Sequence, residues 1–344
     1  MNQPTYLSAL GRDAAATRYL QWVEERAQGR ELTEEPDAPF LSVLMRTQGK
    51  RFEALKEALL SLEAQTDGDF EVILILHRAA EQDRQTTEAL VASLSPSMRE
   101  KVTVRALESG TRAAPLNLAL SLARGRYITM LDDDDLVFED WIENFHKGAL
   151  AHEGRAIRCY AMTQFWKSNP GPNGQVCLQA VATPEPTYCT PFDLQKHLSE
   201  NYTPISCMAI PRACYAVFGI SFDEALTTAE DWDFLMQCAL LCGVFDTGEI
   251  TFLYRLWQNA ETSHTLHQND EWLKNRAYIM EKLQAIPYVT AGSGSWPSTA
   301  GDTQEPYVMP QPTFWFRLRR AIRKYGPLRF PFVMLRKIVY RLFG

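Results

Sequence analysis

The chain has no apolar run near the ~20 residues that a bilayer-spanning helix needs. Its longest, Cys238 to Phe245, reads as the end of a core helix and its exit. No basic start followed by an apolar stretch opens the sequence, so no secretory leader is expected. Seven cysteines, an odd number, include no CxxC pair. Cys238 and Cys242 stand four apart in a helical stretch, which reads as buried thiols rather than a metal site or disulfide. A reducing, cytoplasmic setting follows. A Gly-rich phosphate loop and internal repeats are also missing. With 35 basic residues against 42 acidic ones, the chain lacks the broad positive surface that phosphate neutralisation requires, which argues against a nucleic-acid binder.

What is present is the balance of a folded protein: 46% hydrophobic and 22% charged residues over 344 positions, enough for two modest domains or one large α/β domain with appendages. The charge is unevenly spread. Residues 313–344 hold nine basic side chains, from Arg317 to Arg341, and no acidic one, so the rest of the chain is more acidic than the net −7 suggests.

Residues 1–38 read as an acidic extension with one helix, roughly Ala9 to Ala27. From Phe40 the pattern changes. FLSVLMR, DFEVILILH, KVTVRAL and RYITMLD are apolar, β-branched runs, and the second is apolar on both faces, as inside a parallel sheet covered by helices. Between them lie stretches of helical spacing, such as Phe52, Leu55, Leu59 and Leu62, then Asp83 to Leu94, then AAPLNLALSLARG closed by Gly125. Strand alternating with helix four times implies βαβ units and a doubly wound α/β sheet. Beyond Trp141 the chain predicts strands over Ala156–Trp166, Gln175–Ala182 and Ile205–Ile210, a helix over Thr228–Cys242, an extended TGEITFLYRLW and a helix from Asp270 to about Ala285. The Gly-, Pro- and Ser-rich residues 291–312 read as a linker.

The sharpest feature is Asp132-Asp133-Asp134-Asp135 directly after RYITML. Consecutive carboxylates repel one another and are costly without a compensating cation. Oxygen ligands of this kind suit Mg²⁺ or Mn²⁺, and ligands of open α/β sheets bind at the carboxyl ends of strands. The alternative is a solvated loop capping the next helix. A second acidic pair, Glu230-Asp231, opens the helix after Thr227 and Thr228, either of which is a candidate cap for it.

The stretch from Phe40 to Trp141 resembles a family 2 glycosyltransferase of the GT-A fold. The resemblance rests on Ser61-Leu62, Gln65-Thr66 and Asp69-Phe70-Glu71-Val72, then Leu116-Asn117 with Ala123-Arg124-Gly125-Arg126-Tyr127-Ile128, then Leu131 and the four aspartates as the family's Asp-x-Asp. It implies a GT-A type doubly wound mixed sheet with helices on both faces over residues 39–290. Residues 39–141 would be the nucleotide-sugar half and 142–290 the acceptor half.

The same resemblance makes Asp134 the principal ligand of a divalent cation (Mn²⁺ or Mg²⁺), with Asp132 on the metal or the donor's ribose and Asp133 close by. Thr47, Arg112 and Asn117 would face the nucleotide and diphosphate. Asp231 would be the catalytic base, with Glu230 its partner or the base itself. His264 would be a third metal ligand, and Arg255 or Ser263 a phosphate contact. The second strand ends Leu76-His77-Arg78 where the family often carries a base-binding Asp, which leaves the donor nucleotide unassigned.

The activity implied is metal-dependent, inverting sugar transfer from a nucleotide-sugar donor to a glycan acceptor. Nucleotidylyl transfer to a sugar phosphate and a non-catalytic sugar-nucleotide scaffold are the competing classes. In residues 313–344, basic side chains interleave with Phe314, Trp315, Phe316, Leu318 and Ile322, then with Phe332, Val333, Leu335, Ile338, Val339 and Leu342. Two amphipathic helices broken near Gly326-Pro327 fit this pattern. They would lie on the anionic inner face of the cell membrane and point to a lipid-linked acceptor in surface polysaccharide or lipopolysaccharide assembly.

Overall fold

A computed structural model describes residues 14–32, 36–171, 176–258 and 269–287. His264, Ser263, the linker and the basic tail lie outside these residues. The extension contributes α1 (Ala14–Ala27). The chain then alternates β1 (Leu41–Thr47), α2 (Phe52–Glu63), β2 (Phe70–His77), α3 (Glu81–Ser93), α4 (Pro96–Lys101), β3 (Val102–Leu107), α5 (Ala114–Leu122) and β4 (Tyr127–Met130). Each expected strand and helix of this half is found within a few residues of its expected ends.

The later half adds β5 (Leu136–Val137), α6 (Trp141–Ala151), β6 (Ala156–Pro170), β7 (Val176–Ala180), β8 (Glu185–Tyr188) and α7 (Leu194–His197). It closes with β9 (Met208–Pro211), α8 (Ala213–Ala216), α9 (Glu230–Cys242), β10 (Val244–Trp257) and α10 (Asn269–Gln284). The strand expected over Ile205–Ile210 begins instead as a 3-10 turn, Ile205–Cys207, closed by Cys207 N donating to Pro204 O at 2.9 Å. Among the described residues no helix is long and apolar enough to cross a membrane.

One ten-stranded sheet runs in the order β3-β2-β1-β4-β9-β6-β10-β5, with β7 and β8 paired to β6. The β3-β2-β1-β4 set is parallel, whereas β9 runs antiparallel to both β4 and β6, so the sheet is mixed. Alternate side chains explain the two helical layers. Val43, Met45, Val72 and Leu74 point to the face covered by Leu55, Leu59 and Leu62 of α2 and by Trp141 and Phe145 of α6. Leu44, Ile73 and Ile75 point to the other face, under Leu116 and Leu120 of α5 and Phe234 and Cys238 of α9. A separate cluster joins Trp232, Met236 and Leu240 of α9 to Ile279, Met280 and Leu283 of α10.

The turn into β4 shows why its residues are small and polar. Gly125 donates its N–H to Ser42 Oγ at 2.8 Å, and Ser42 Oγ donates to Glu71 Oε1 at 2.7 Å. A Cβ on Gly125 would meet Ser42 N at 2.6 Å and Leu41 C at 2.8 Å, both on the backbone of β1. Gly125→Ala is therefore expected to cost about 1–3 kcal/mol, read as a lowered denaturant midpoint with unchanged slope. Gln65 and Thr66 fix the far side of the acidic loop. Gln65 Nε2 donates to Phe138 O at 2.7 Å, Gln65 Oε1 accepts from Ile142 N at 3.1 Å, and Thr66 N donates to Glu139 O at 2.8 Å.

Candidate active site

The carboxyl ends of β1 and β4 lie side by side, since the two strands pair in parallel from Leu41↔Tyr127 to Leu44↔Met130. Thr47 at the end of β1 therefore reaches the loop after β4: its Oγ1 donates to Asp133 Oδ2 at 2.6 Å. The loop alternates. Asp133 and Asp135 are buried, while Asp132 and Asp134 are partly exposed. The buried pair is held by protein donors, Asp133 by Thr47 and by Arg51 Nη2 at 3.1 Å, and Asp135 by the Arg255 amide at 2.7 Å. Arg51, at the N-terminal end of α2, also pairs with Asp134.

Burial dominates the protonation of this loop. It pushes Asp133 up against the opposing pull of Arg51 and Thr47, and pushes Asp135 well above the usual carboxylate range. Burial, partly offset by Arg51 and reinforced by the Asp133 and Asp132 carboxylates, pushes Asp134 up to about 7. A carboxyl that binds its proton more tightly folded than unfolded contributes most stability at low pH and loses it as pH rises through its folded value. In EDTA, the melting temperature is thus expected to fall as pH rises from 3.8 towards about 7 by this group's contribution. Asp134→Asn should flatten that slope; an unchanged slope would show that Asp134 does not titrate in this range.

Asp132 and Asp134 suit a cation that completes its shell with phosphate oxygens. Mg²⁺ and Mn²⁺ sites of this kind use one or two carboxylates rather than an all-protein cage. Among the described residues no three His, Cys, Asp or Glu side chains form a group that could hold a metal ion by themselves.

Opposite this loop stands the N-terminal end of α9. Glu230 is buried, and its Oε1 accepts from Arg46 Nη1 at 2.9 Å and Arg112 Nε at 2.7 Å. Burial alone would raise its pKa, but Arg46 and Arg112 outweigh it and hold the carboxylate below its ordinary value. Asp231, half-buried, has the reverse balance. Burial and then the Glu230 charge push it up to about 6 against the pull of Arg112. Adjacent acids thus diverge: Glu230 is a fixed anion, and Asp231 a carboxylate poised near neutrality, where a proton acceptor works best. Arg46 links the two halves of the cleft, since Asp132 and Asp231 as well as Glu230 stabilise its charge.

The remaining expected residues divide. Arg112 lies in the cleft beside Glu230. Asn117 is turned elsewhere: its Nδ2 donates to Phe222 O at 2.9 Å and its Oδ1 accepts from Phe222 N at 2.9 Å, bracing α5 against the 222–224 loop. Arg255, expected as a phosphate contact, is engaged by the protein itself. It is buried beneath the acidic loop, pairs with Glu57, donates to Asp134 O, and lies 5.1 Å from the Trp166 ring centre and 5.4 Å from that of Trp257. Neither Thr227 nor Thr228 caps α9; the cap position is Ala229, in the left-handed conformation at φ 59°. Arg46 and Arg51 were missed from sequence, although a lone Arg inside the apolar run LSVLMRT was a signal for the first.

The sequence profile described as Glycosyl transferase family 2 matches residues 42–176. An uncharacterized glycosyltransferase of Methanocaldococcus jannaschii, MJ1057, is 23% identical over 204 residues, which cover 59% of this chain and 66% of that protein. The crystal structure of S. aureus TarS 1–349 in complex with UDP-GlcNAc is similar with a TM-score of 0.55 and 19% identity, covering 71% of this chain and 66% of that one. The same TarS fragment in complex with UDP gives a TM-score of 0.51 and 18% identity over 71% and 64%. The chain thus spans just under two thirds of the length of these relatives. The profile match falls on β1 through β6, where the Asp cluster stands, and the mixed α/β sheet has the fold of TarS: residues 42–176 are similar to glycosyl transferase family 2, and the chain shares its fold with a glycosyltransferase structure.

Proposed function

We infer that this protein transfers a sugar from a nucleoside-diphosphate sugar to a hydroxyl of an acceptor glycan, with inversion at the anomeric carbon. The observation that carries the reading is that the two acidic groups meet at Arg46, whose Nη1 binds Glu230 at 2.9 Å while Asp132 and Asp231 also stabilise its charge, with Asp231 raised to about 6. Asp231 accepts the proton of the acceptor hydroxyl as its oxygen forms a bond to the anomeric carbon. The bond from that carbon to the diphosphate oxygen breaks, and its electron pair leaves with the nucleoside diphosphate. Asp132 and Asp134 would hold Mn²⁺ or Mg²⁺, which when bound supplies neutralisation of the departing diphosphate. Thr47 keeps Asp133 turned inward, and Arg112 presents a cation beside the diphosphate path.

Because TarS binds UDP-GlcNAc, uridine donors head the panel to be tested. Calorimetric titration with UDP-, GDP-, dTDP- and ADP-linked sugars should find one donor that binds, more tightly with Mn²⁺ than in EDTA. No binding by any member, or binding indifferent to Mn²⁺, would overturn the reading.

The acceptor is read as lipid-linked from the basic, aromatic residues 313–344. Each basic side chain near an anionic bilayer adds about 1 kcal/mol. Truncation after Gln311 is expected to release the protein from anionic vesicles in a flotation assay while donor hydrolysis continues. Equal flotation of the truncated and full chains would refute the membrane role.

A further inference from the structure

The acidic pair is delivered by a strained backbone. Ala229 has φ 59°, a conformation that a side chain with a Cβ adopts only when its surroundings impose it, and it immediately precedes Glu230 and Asp231. No side chain caps the helix at this point. The residues before it are held by another element. Asn275 of α10 donates through Nδ2 to Thr227 Oγ1 at 3.0 Å and to Thr228 Oγ1 at 2.8 Å, and Thr228 is fully buried.

Two turns further along α10, Lys282 Nζ reaches Asp233 Oδ2 at 2.7 Å, so the same helix grips α9 just beyond the pair. On the other side, Arg46 and Arg112 hold Glu230. Among the described residues Asp231 has no such grip from another element: its Oδ1 accepts from the adjacent Trp232 N at 2.8 Å. Its position is therefore set by the backbone on either side of it.

We propose that Asn275 is a positioning residue for the Asp231 carboxylate, holding Thr227 and Thr228 so that Ala229 stays left-handed. The proposal rests on the reading of Asp231 as the base. It gives α10, which lies outside the profile-matched residues 42–176, a part in the reaction that its apolar packing on Trp232, Met236 and Leu240 does not by itself require.

Hydrogen–deuterium exchange of the full-length protein, followed in peptides spanning residues 226–236, separates positioning from general support. Asn275→Ala should accelerate exchange there by about tenfold or more while β1 to β4 exchange as in wild type. Adding Ala229→Gly, which makes the left-handed turn free of strain, should restore slow exchange in the double variant. Hydrolysis, with Mn²⁺, of the sugar nucleotide that binds in the calorimetric panel supplies the second readout: kcat should fall by up to about 10²-fold in Asn275→Ala with KM held, and recover with Ala229→Gly. Unchanged local exchange, or acceleration throughout the chain that Ala229→Gly does not reverse, would overturn the proposal. Asp231→Asn separates this from failure of the base reading. Full turnover in that variant sinks the base; collapse there, with Asn275→Ala unaffected in both readouts, sinks the clamp alone.

Discussion

Asp231→Asn is expected to lower turnover by about 10²–10⁴-fold, the range for removing a positioned proton acceptor. The amide keeps the size of the carboxylate and can still accept the Trp232 N–H through its oxygen, so the first turn of α9 is retained. Donor affinity should change little, because Asp231 acts on the acceptor hydroxyl. The effect belongs to kcat and is visible in single-turnover kinetics with donor saturating. The account also fixes the contrast with its neighbour. Glu230 is buried and bound to Arg46 and Arg112, so Glu230→Gln should disturb the cleft by weakening both ion pairs, with a loss of melting temperature that Asp231→Asn does not share.

Asp134→Ala is expected to abolish metal-supported transfer and to leave the fold intact. Its carboxylate is partly exposed and crowded by Asp132 and Asp133, so its removal relieves repulsion instead of opening a core cavity. The variant should melt at or above the wild-type temperature in EDTA, and Mn²⁺ should no longer raise its melting temperature. Wild-type turnover by this variant, or an equal Mn²⁺ shift in both proteins, would remove Asp134 from the cation's ligands.

Much of the fold of residues 39–141 is legible in the sequence because its signals are local. FEVILILH is apolar at every other position on both faces, and its side chains do divide between the two helical layers. The ARG turn into β4 is legible for the same reason, although the contact that requires Gly125 lies across to Ser42 and Leu41. The acidic loop announces itself as charge where a buried strand ends. Its inner division, Asp133 and Asp135 in and Asp132 and Asp134 out, is not local: residues 133–134 form a turn, and the buried pair is held by Thr47, Arg51 and the Arg255 amide from distant parts of the chain.

What sequence does not carry is long-range pairing. Arg46 meets Glu230 across 184 positions, and Arg255 meets Glu57 across 198. Neither partner marks the other in a single sequence. Arg255 was expected to contact phosphate; in the fold it is a buried brace under the acidic loop. Glu230 and Asp231 are neighbours with identical chemistry, and only burial and the two arginines tell them apart. Thr227 and Thr228 have the residue type of a helix cap, but Asn275 engages both hydroxyls and the chain turns at Ala229 instead.

The most direct test follows the sugar itself. Proton NMR of the sugar-nucleotide panel incubated with the full-length protein and Mn²⁺ reads both consumption of a donor and the anomeric configuration of the first sugar released. The account requires one donor to be consumed and its sugar to appear first with the configuration opposite to that in the donor. Retained configuration, or a panel left intact, would contradict direct displacement assisted by Asp231.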